Sequence, residues 1–133
     1  MTTELYWMTL TILMTALFWV PYALDRAAVR GIGPWLLDTG PEGNGAQSRW
    51  AQRTARAHVN AVENLAIFVP AVLALHALNI STPVTQTAVV VYFFARLAHY
   101  VVYTAGVPAA RTIAFTVGWG AQIALLASIL KWV

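Results

Sequence analysis

Four polar residues, Arg53, Arg56, Asn60 and Glu63, stand at the entrance of an apolar stretch that continues through Ile67. On a helix turning 100° per residue they fall within about 80° of one another, so they form one ridge. His58 projects to nearly the opposite side. A second set, Tyr92, Arg96, His99 and Tyr103, is spaced four, three and four residues apart and shares one helical face. Arg111, followed by Thr112, stands at the mouth of the last apolar stretch. Guanidinium groups pair with carboxylates or phosphates, and a lone carboxylate pairs with an ammonium. Several arginines with one Glu, an Asn and tyrosines therefore suit a small, multiply charged, zwitterionic ligand.

Other chemistries find no support. The chain has no cysteine, which removes disulfides, thiolate metal sites and a cysteine nucleophile. HExxH, GxSxG, P-loop and dinucleotide-fingerprint patterns are missing; "GIGP" is too short for the last. His58, His76 and His99 scatter over different faces and depths, so no metal site is expected. Each polar group also has a structural reading. Arg49 and Arg53 can snorkel to an interface, and Tyr92 and Tyr103 can be packing aromatics. Glu63 and Arg96 can form a plain helix clamp, His58 a cap or surface residue, and His76 an interfacial one.

The elements that must hold these groups are apolar helices. Of 133 residues, 59% are hydrophobic and 10% charged, with mean hydropathy +0.65. Soluble domains carry about 25% charged residues, so there are too few here to cover a water-facing surface. The net charge of +3 and pI of about 9.7 come mainly from arginines beside apolar segments, which fits a membrane protein and not a nucleic-acid binder. About 20 apolar residues cross a bilayer as helix. Spans are expected at about 5–24, 57–78, 84–105 and 109–130, in one domain. The second helix is expected to begin near Ser48 or Arg49, so that its Arg-rich first turns protrude. Pro70 falls inside it, a tolerated kink site. "NISTP" is a turn with Ser81 or Thr82 as cap, and "GVP" ends the third helix. The Gly/Pro-rich stretch from about 26 to 48 reads as a loop.

Arg26, Arg30, Arg49, Arg53 and Arg56 flank that loop, and Arg111 lies on the same side. The positive-inside rule places this side in the cytoplasm and both termini opposite. "MTTELYW" lacks a positive leader, so the first span reads as retained. The expected fold is an all-α integral membrane bundle of four antiparallel, up-down helices. Arg96 would lie roughly 15 Å below the cytoplasmic end. A guanidinium at that depth costs at least about 2.5–3.5 kcal/mol unless paired. Glu63 reads as the only carboxylate within a span, so a Glu63–Arg96 pair is expected, within one chain or between neighbouring chains.

These residues resemble the MAPEG family, membrane-associated proteins in eicosanoid and glutathione metabolism. The second-helix pattern R-x-x-R-x-H-x-N-x-x-E is met by Arg53, Arg56, His58, Asn60 and Glu63. The third-helix pattern R-x-x-H-x-x-x-Y is met by Arg96, His99 and Tyr103. The resemblance implies a homotrimer that binds glutathione between subunits and meets a hydrophobic small-molecule substrate in the lipid. By position Asn60, Glu63, His99 and Tyr103 would hold the tripeptide, with Arg53, Arg56 and Arg96 supporting. Arg26 or Arg30 would add a contact. Arg111 and Thr112 match the positions that stabilise the thiolate. The implied activity is a glutathione-dependent transferase or peroxidase, in a bacterial-type inner-membrane protein. Val59 and Phe115 depart from the prostaglandin-synthase branch, where a basic residue and a Tyr stand. They argue against prostaglandin isomerisation and lend weight to a rival, a non-catalytic accessory subunit of a larger membrane assembly.

Overall fold

The computed structural model describes residues 1–37 and 48–133. The helices are α1 (Thr3–Leu17), α2 (Val20–Arg30), α3 (Ile32–Leu37), α4 (Arg49–Ala77), α5 (Pro83–Ala105) and α6 (Pro108–Ile129). Four stretches are long and apolar enough to cross a membrane: Thr3–Arg30, Arg49–Ala77, Pro83–Ala105 and Pro108–Ile129. The protein is an all-helical membrane bundle.

Local chemistry sets the helix ends. Thr82, not Ser81, caps α5: its hydroxyl accepts from the Thr85 amide while the Thr85 hydroxyl accepts from the Thr82 amide. Gly106 ends α5 with φ +79°, a left-handed conformation that side-chain-bearing residues rarely adopt. Pro83 and Pro108 open α5 and α6 at the first turn, where a missing N–H costs nothing. Pro70 sits within α4, which continues to Ala77.

The first span differs from the sequence expectation. It is interrupted at Phe18–Trp19, because Pro21 cannot donate to the Leu17 carbonyl and its ring crowds that carbonyl. Helix then resumes and carries Arg26 and Arg30, which were expected in a loop. Residues 32–37 are helical too. Gly31, at φ +85°, ends α2, and Pro34 lies in the first turn of α3, where proline is harmless. The rest of the expected loop, 38–47, lies outside the described residues.

Short turns at 78–82 and 106–107 make α4, α5 and α6 antiparallel neighbours, and α1 packs on α4 and α5. Phe68, Val72 and Leu75 of α4 meet Val89 and Tyr92 of α5, Leu125 of α6 and Met8 of α1. The Phe68 and Tyr92 rings stack at 3.8 Å. Alanines at 51, 57, 61, 71, 88, 95 and 121 are buried between the helices. Small residues let backbones approach closely, which is how helices associate without a hydrophobic driving force in lipid. Outward faces carry Leu13, Leu17, Val62, Ile67, Phe94, Val101, Ile113 and Trp119, all exposed. That surface suits hydrocarbon and not water.

The bundle has two distinct ends. At one, the start of α1 meets the α4–α5 turn, where Ser81 and Thr85 donate to the Glu4 carboxylate. At the other, the start of α4 meets the α5–α6 turn, where Arg53 donates to the Thr104 carbonyl. The residues of both sequence ridges gather toward this second end.

Candidate functional site

The ridge of α4 is fixed from outside its own helix. Asp25 of α2 accepts from the Ser48 amide at 2.9 Å and the Ser48 hydroxyl at 2.6 Å. A buried carboxylate thus holds the α4 N-terminus, where it also complements the helix dipole. Tyr22 and His58 Nδ1 share a hydrogen bond of 2.9 Å, so His58 joins α2 to α4. Below these clamps, Arg53 Nε donates to the Thr104 carbonyl at 2.8 Å, and the Thr54 and Thr104 hydroxyls meet at 3.0 Å. Gly106 makes room for the Arg53 guanidinium: a Cβ there would stand 3.2 Å from its Cζ.

Arg96 is the deepest cation of the cluster and is 2% exposed. Its Nη1 donates to Asn60 Oδ1 at 3.1 Å, and Nη2 to the Phe115 carbonyl at 3.5 Å. Its guanidinium lies 5.2 Å from the Phe115 ring centroid and 5.5 Å from that of Tyr92. Two ring faces and an amide thus hold a charge for which a carboxylate was expected. Glu63, three residues beyond Asn60, is rotated about 60° around α4 and is exposed on the bundle surface. Within one chain, then, Arg96 pairs with Asn60 and not with Glu63. Glu63 is also not the only carboxylate in the helical spans, since Glu4 is buried in the first turn of α1.

Two hollows adjoin this cluster. The inner one, about 280 Å³, is lined by Asn60, His99, Tyr103, Arg111, Thr112 and Phe115. The outer one, about 220 Å³, is lined by Arg53, Tyr103, Gly106, Val107, Pro108 and Arg111. Tyr103 and Arg111 line both. The Arg111 guanidinium lies 4.8 Å from the Tyr103 ring centroid. The His99 and Tyr103 rings meet edge to face at 5.5 Å. Neither lining contains a carboxylate, so the formally charged groups in the walls are arginines. Such walls can bind carboxylates and stabilise a developing negative charge.

The structure therefore brings together Arg53, Asn60, Arg96, His99, Tyr103, Arg111 and Thr112. Arg56 and Glu63 are exposed and line neither hollow, and the same two linings lack Arg26 and Arg30. Among the described residues no group of three His, Cys, Asp or Glu could hold a metal.

Several contributors were not singled out from the sequence. Gly118 packs directly on the Arg96 guanidinium. Gln122, 2% exposed, donates to the Asn64 carbonyl at 2.9 Å and lies 3.4 Å from the Tyr92 hydroxyl. The signal for both was "GWGAQ", since a glycine or an amide inside an apolar span marks close approach or an interhelical bond. Thr104 gave no signal, because its carbonyl and hydroxyl matter only through the fold.

No curated protein and no solved structure shows significant similarity to the chain. The MAPEG family model, however, matches residues 4–131. That match spans all four membrane helices and both hollows, and the chain belongs to the MAPEG family.

Proposed function

We propose that this protein is a glutathione-dependent membrane transferase or peroxidase acting on a hydrophobic electrophile or hydroperoxide. The observation that carries this reading is the double hollow, with Arg111 over Tyr103 at its junction and no carboxylate in either wall. The tripeptide's carboxylates match Arg53 and the Asn60 and His99 donors. Arg111 favours the ionised thiol, because a nearby cation stabilises the thiolate over the neutral form. The thiolate then attacks an electrophilic carbon, displacing a leaving group, or the terminal oxygen of a hydroperoxide. In the second case the O–O bond breaks, leaving a sulfenic acid on glutathione and an alkoxide that is protonated to the alcohol. A second glutathione thiol then forms the disulfide with loss of water. The acceptor enters sideways from lipid beside Phe115.

In a homotrimer, Arg56 and Glu63 would face the neighbouring copy and complete the ligand's surroundings, Glu63 meeting its ammonium. This gives a reason for two exposed ionic side chains beside the apolar Val59, Val62 and Ile67 of the same helix. The arginine-rich end faces the cytoplasm, with both termini opposite, in a bacterial inner membrane.

The test is binding. Millimolar glutathione should raise the melting temperature of the detergent-purified protein, by several degrees where its concentration reaches about 100 times Kd. An unchanged melting temperature refutes the reading. One feature favours the rival, a non-catalytic accessory subunit: Phe115 presents an apolar ring to the inner hollow and binds Arg96 instead of a ligand. In that case a single copy would co-purify with other membrane subunits, and glutathione would leave its stability unchanged.

A further inference from the structure

The end of the bundle away from the arginine cluster holds a buried carboxylate with half of its hydrogen-bonding capacity unused. Glu4 is 2% exposed. Its Oε1 accepts from the Thr85 hydroxyl at 2.7 Å and the Ser81 hydroxyl at 2.9 Å. Those two bonds tie the first turn of α1 to the α4–α5 turn and to the first turn of α5. They account for one oxygen only, because Oε2 is buried and has no hydrogen-bond partner. An ionised oxygen withdrawn from water without a partner is costly, by several kcal/mol for a bare ion. A clamp between α1 and α5 alone would not require it.

Glu4 stands in the wall of a hollow of about 150 Å³, lined also by Thr2, His76, Asn79, Ile80 and Ser81. The space exceeds several water molecules, each taking about 30 Å³ of liquid volume. Its polar wall is rich in oxygen: the carboxylate, the Thr2 and Ser81 hydroxyls and the Asn79 amide. No lysine or arginine lines it to neutralise Glu4. Asn79 is held at φ +55°, in the left-handed region that ends α4 and turns the chain past Glu4. Gln86 Nε2 donates to the Ser81 hydroxyl at 3.1 Å, which orients that hydroxyl's proton toward Glu4.

We infer that this hollow is a binding site for a small monovalent cation, either an alkali ion or a primary ammonium group. Glu4 is the only carboxylate in the lining, His76 its one other titratable group, and the carboxylate's single negative charge matches one positive charge. A divalent ion would call for further carboxylates, and among the described residues no third His, Cys, Asp or Glu joins the site. Both sources reach this end of the bundle, because the start of α1 and the α4–α5 turn lie where the spans leave the membrane. Sodium or potassium arrives from water and the ammonium of phosphatidylethanolamine from the headgroup layer. The site shares no lining residue with the proposed glutathione hollows.

The experiment uses the full chain without glutathione, so its outcome is independent of the proposed catalytic function. Melting temperatures are measured in detergent with sodium, potassium or ammonium chloride against choline chloride at equal ionic strength. They are measured again in nanodiscs of phosphatidylethanolamine or phosphatidylcholine in choline chloride. The expected result is a gain of about 3 °C or more for a small cation over choline, or for phosphatidylethanolamine over phosphatidylcholine. The first identifies a free ion and the second a lipid ammonium. Glu4→Gln should abolish the gain. If that chain does not fold, Asn79→Gly, which suits the backbone there, should raise the half-saturating concentration about tenfold. Equal melting temperatures in every comparison overturn the site, as does a gain that persists unchanged in the folded variant.

Discussion

Gly118 of α6 lies against the Arg96 guanidinium so closely that a methyl group on it would stand 2.9 Å from Nη2 and 3.0 Å from Nε. This missing side chain lets a charged group occupy the space between α5 and α6. Gly118→Ala should therefore push Arg96 away from Asn60 and destabilise the protein by about 1–3 kcal/mol, the usual range for overpacking. Gly120→Ala is the control, since nothing lies within 4 Å of a Cβ there, and its melting temperature should equal or exceed the parent's because Ala favours helix over Gly. The cost of Gly118→Ala should shrink in an Arg96→Met background, because the clash is with the guanidinium.

Asn60 supplies the only side-chain oxygen on Arg96 among the described residues. Replacing Asn60 with Leu should lower stability by about 1–3 kcal/mol by leaving a buried donor unmet. Asn60→Asp should retain or exceed the parent's stability, since a charge-assisted bond then replaces a neutral one. Thermal unfolding in detergent distinguishes the two variants directly.

Arg111→Ala should reduce turnover with glutathione about 100-fold or more while changing glutathione affinity much less, because the guanidinium sets how much of the bound thiol is ionised and the tripeptide's carboxylates are held by other residues. Arg111→Lys should recover part of the loss. Equal turnover in Arg111→Ala would remove the residue from the mechanism. Single-turnover kinetics alongside equilibrium binding read the two quantities separately.

Asp25→Ala removes both bonds to Ser48 and exposes the start of α4. The expected cost is about 1–3 kcal/mol, because the part-buried Ser48 amide and hydroxyl lose a charged acceptor. Hydrogen exchange should rise first at Ser48, whose amide loses its acceptor, and in the first turn of α4 that Ser48 anchors. Faster exchange spread evenly over the bundle would contradict the capping role.

Much of the fold was legible from single segments. Length and hydropathy gave four spans, and Gly106 and Thr82 marked ends of α5 by their own conformational chemistry. Pro21 and Gly31 were legible in principle too. Their consequence, a broken first span followed by more helix, was hidden because helix resumes after each interruption. The composition of the site was partly legible as well, since period and spacing put Arg53 with Asn60 and Arg96 with His99 and Tyr103 on their own helices.

By itself the sequence determined which residues share a face, how long the last three spans are and which end of the bundle collects arginine. These follow from 100° of turn and 1.5 Å of rise per residue, which are properties of one helix alone. Only the tertiary structure decided which face meets which. Arg96 found Asn60 and not Glu63, Glu4 found Ser81 and Thr85, and Gly118 came to lie under a guanidinium. Rotation and height between neighbouring helices depend on how closely small residues such as Ala95, Gly118 and Ala121 let their backbones approach. That contact is set jointly by two helices, and no periodicity within one of them contains it.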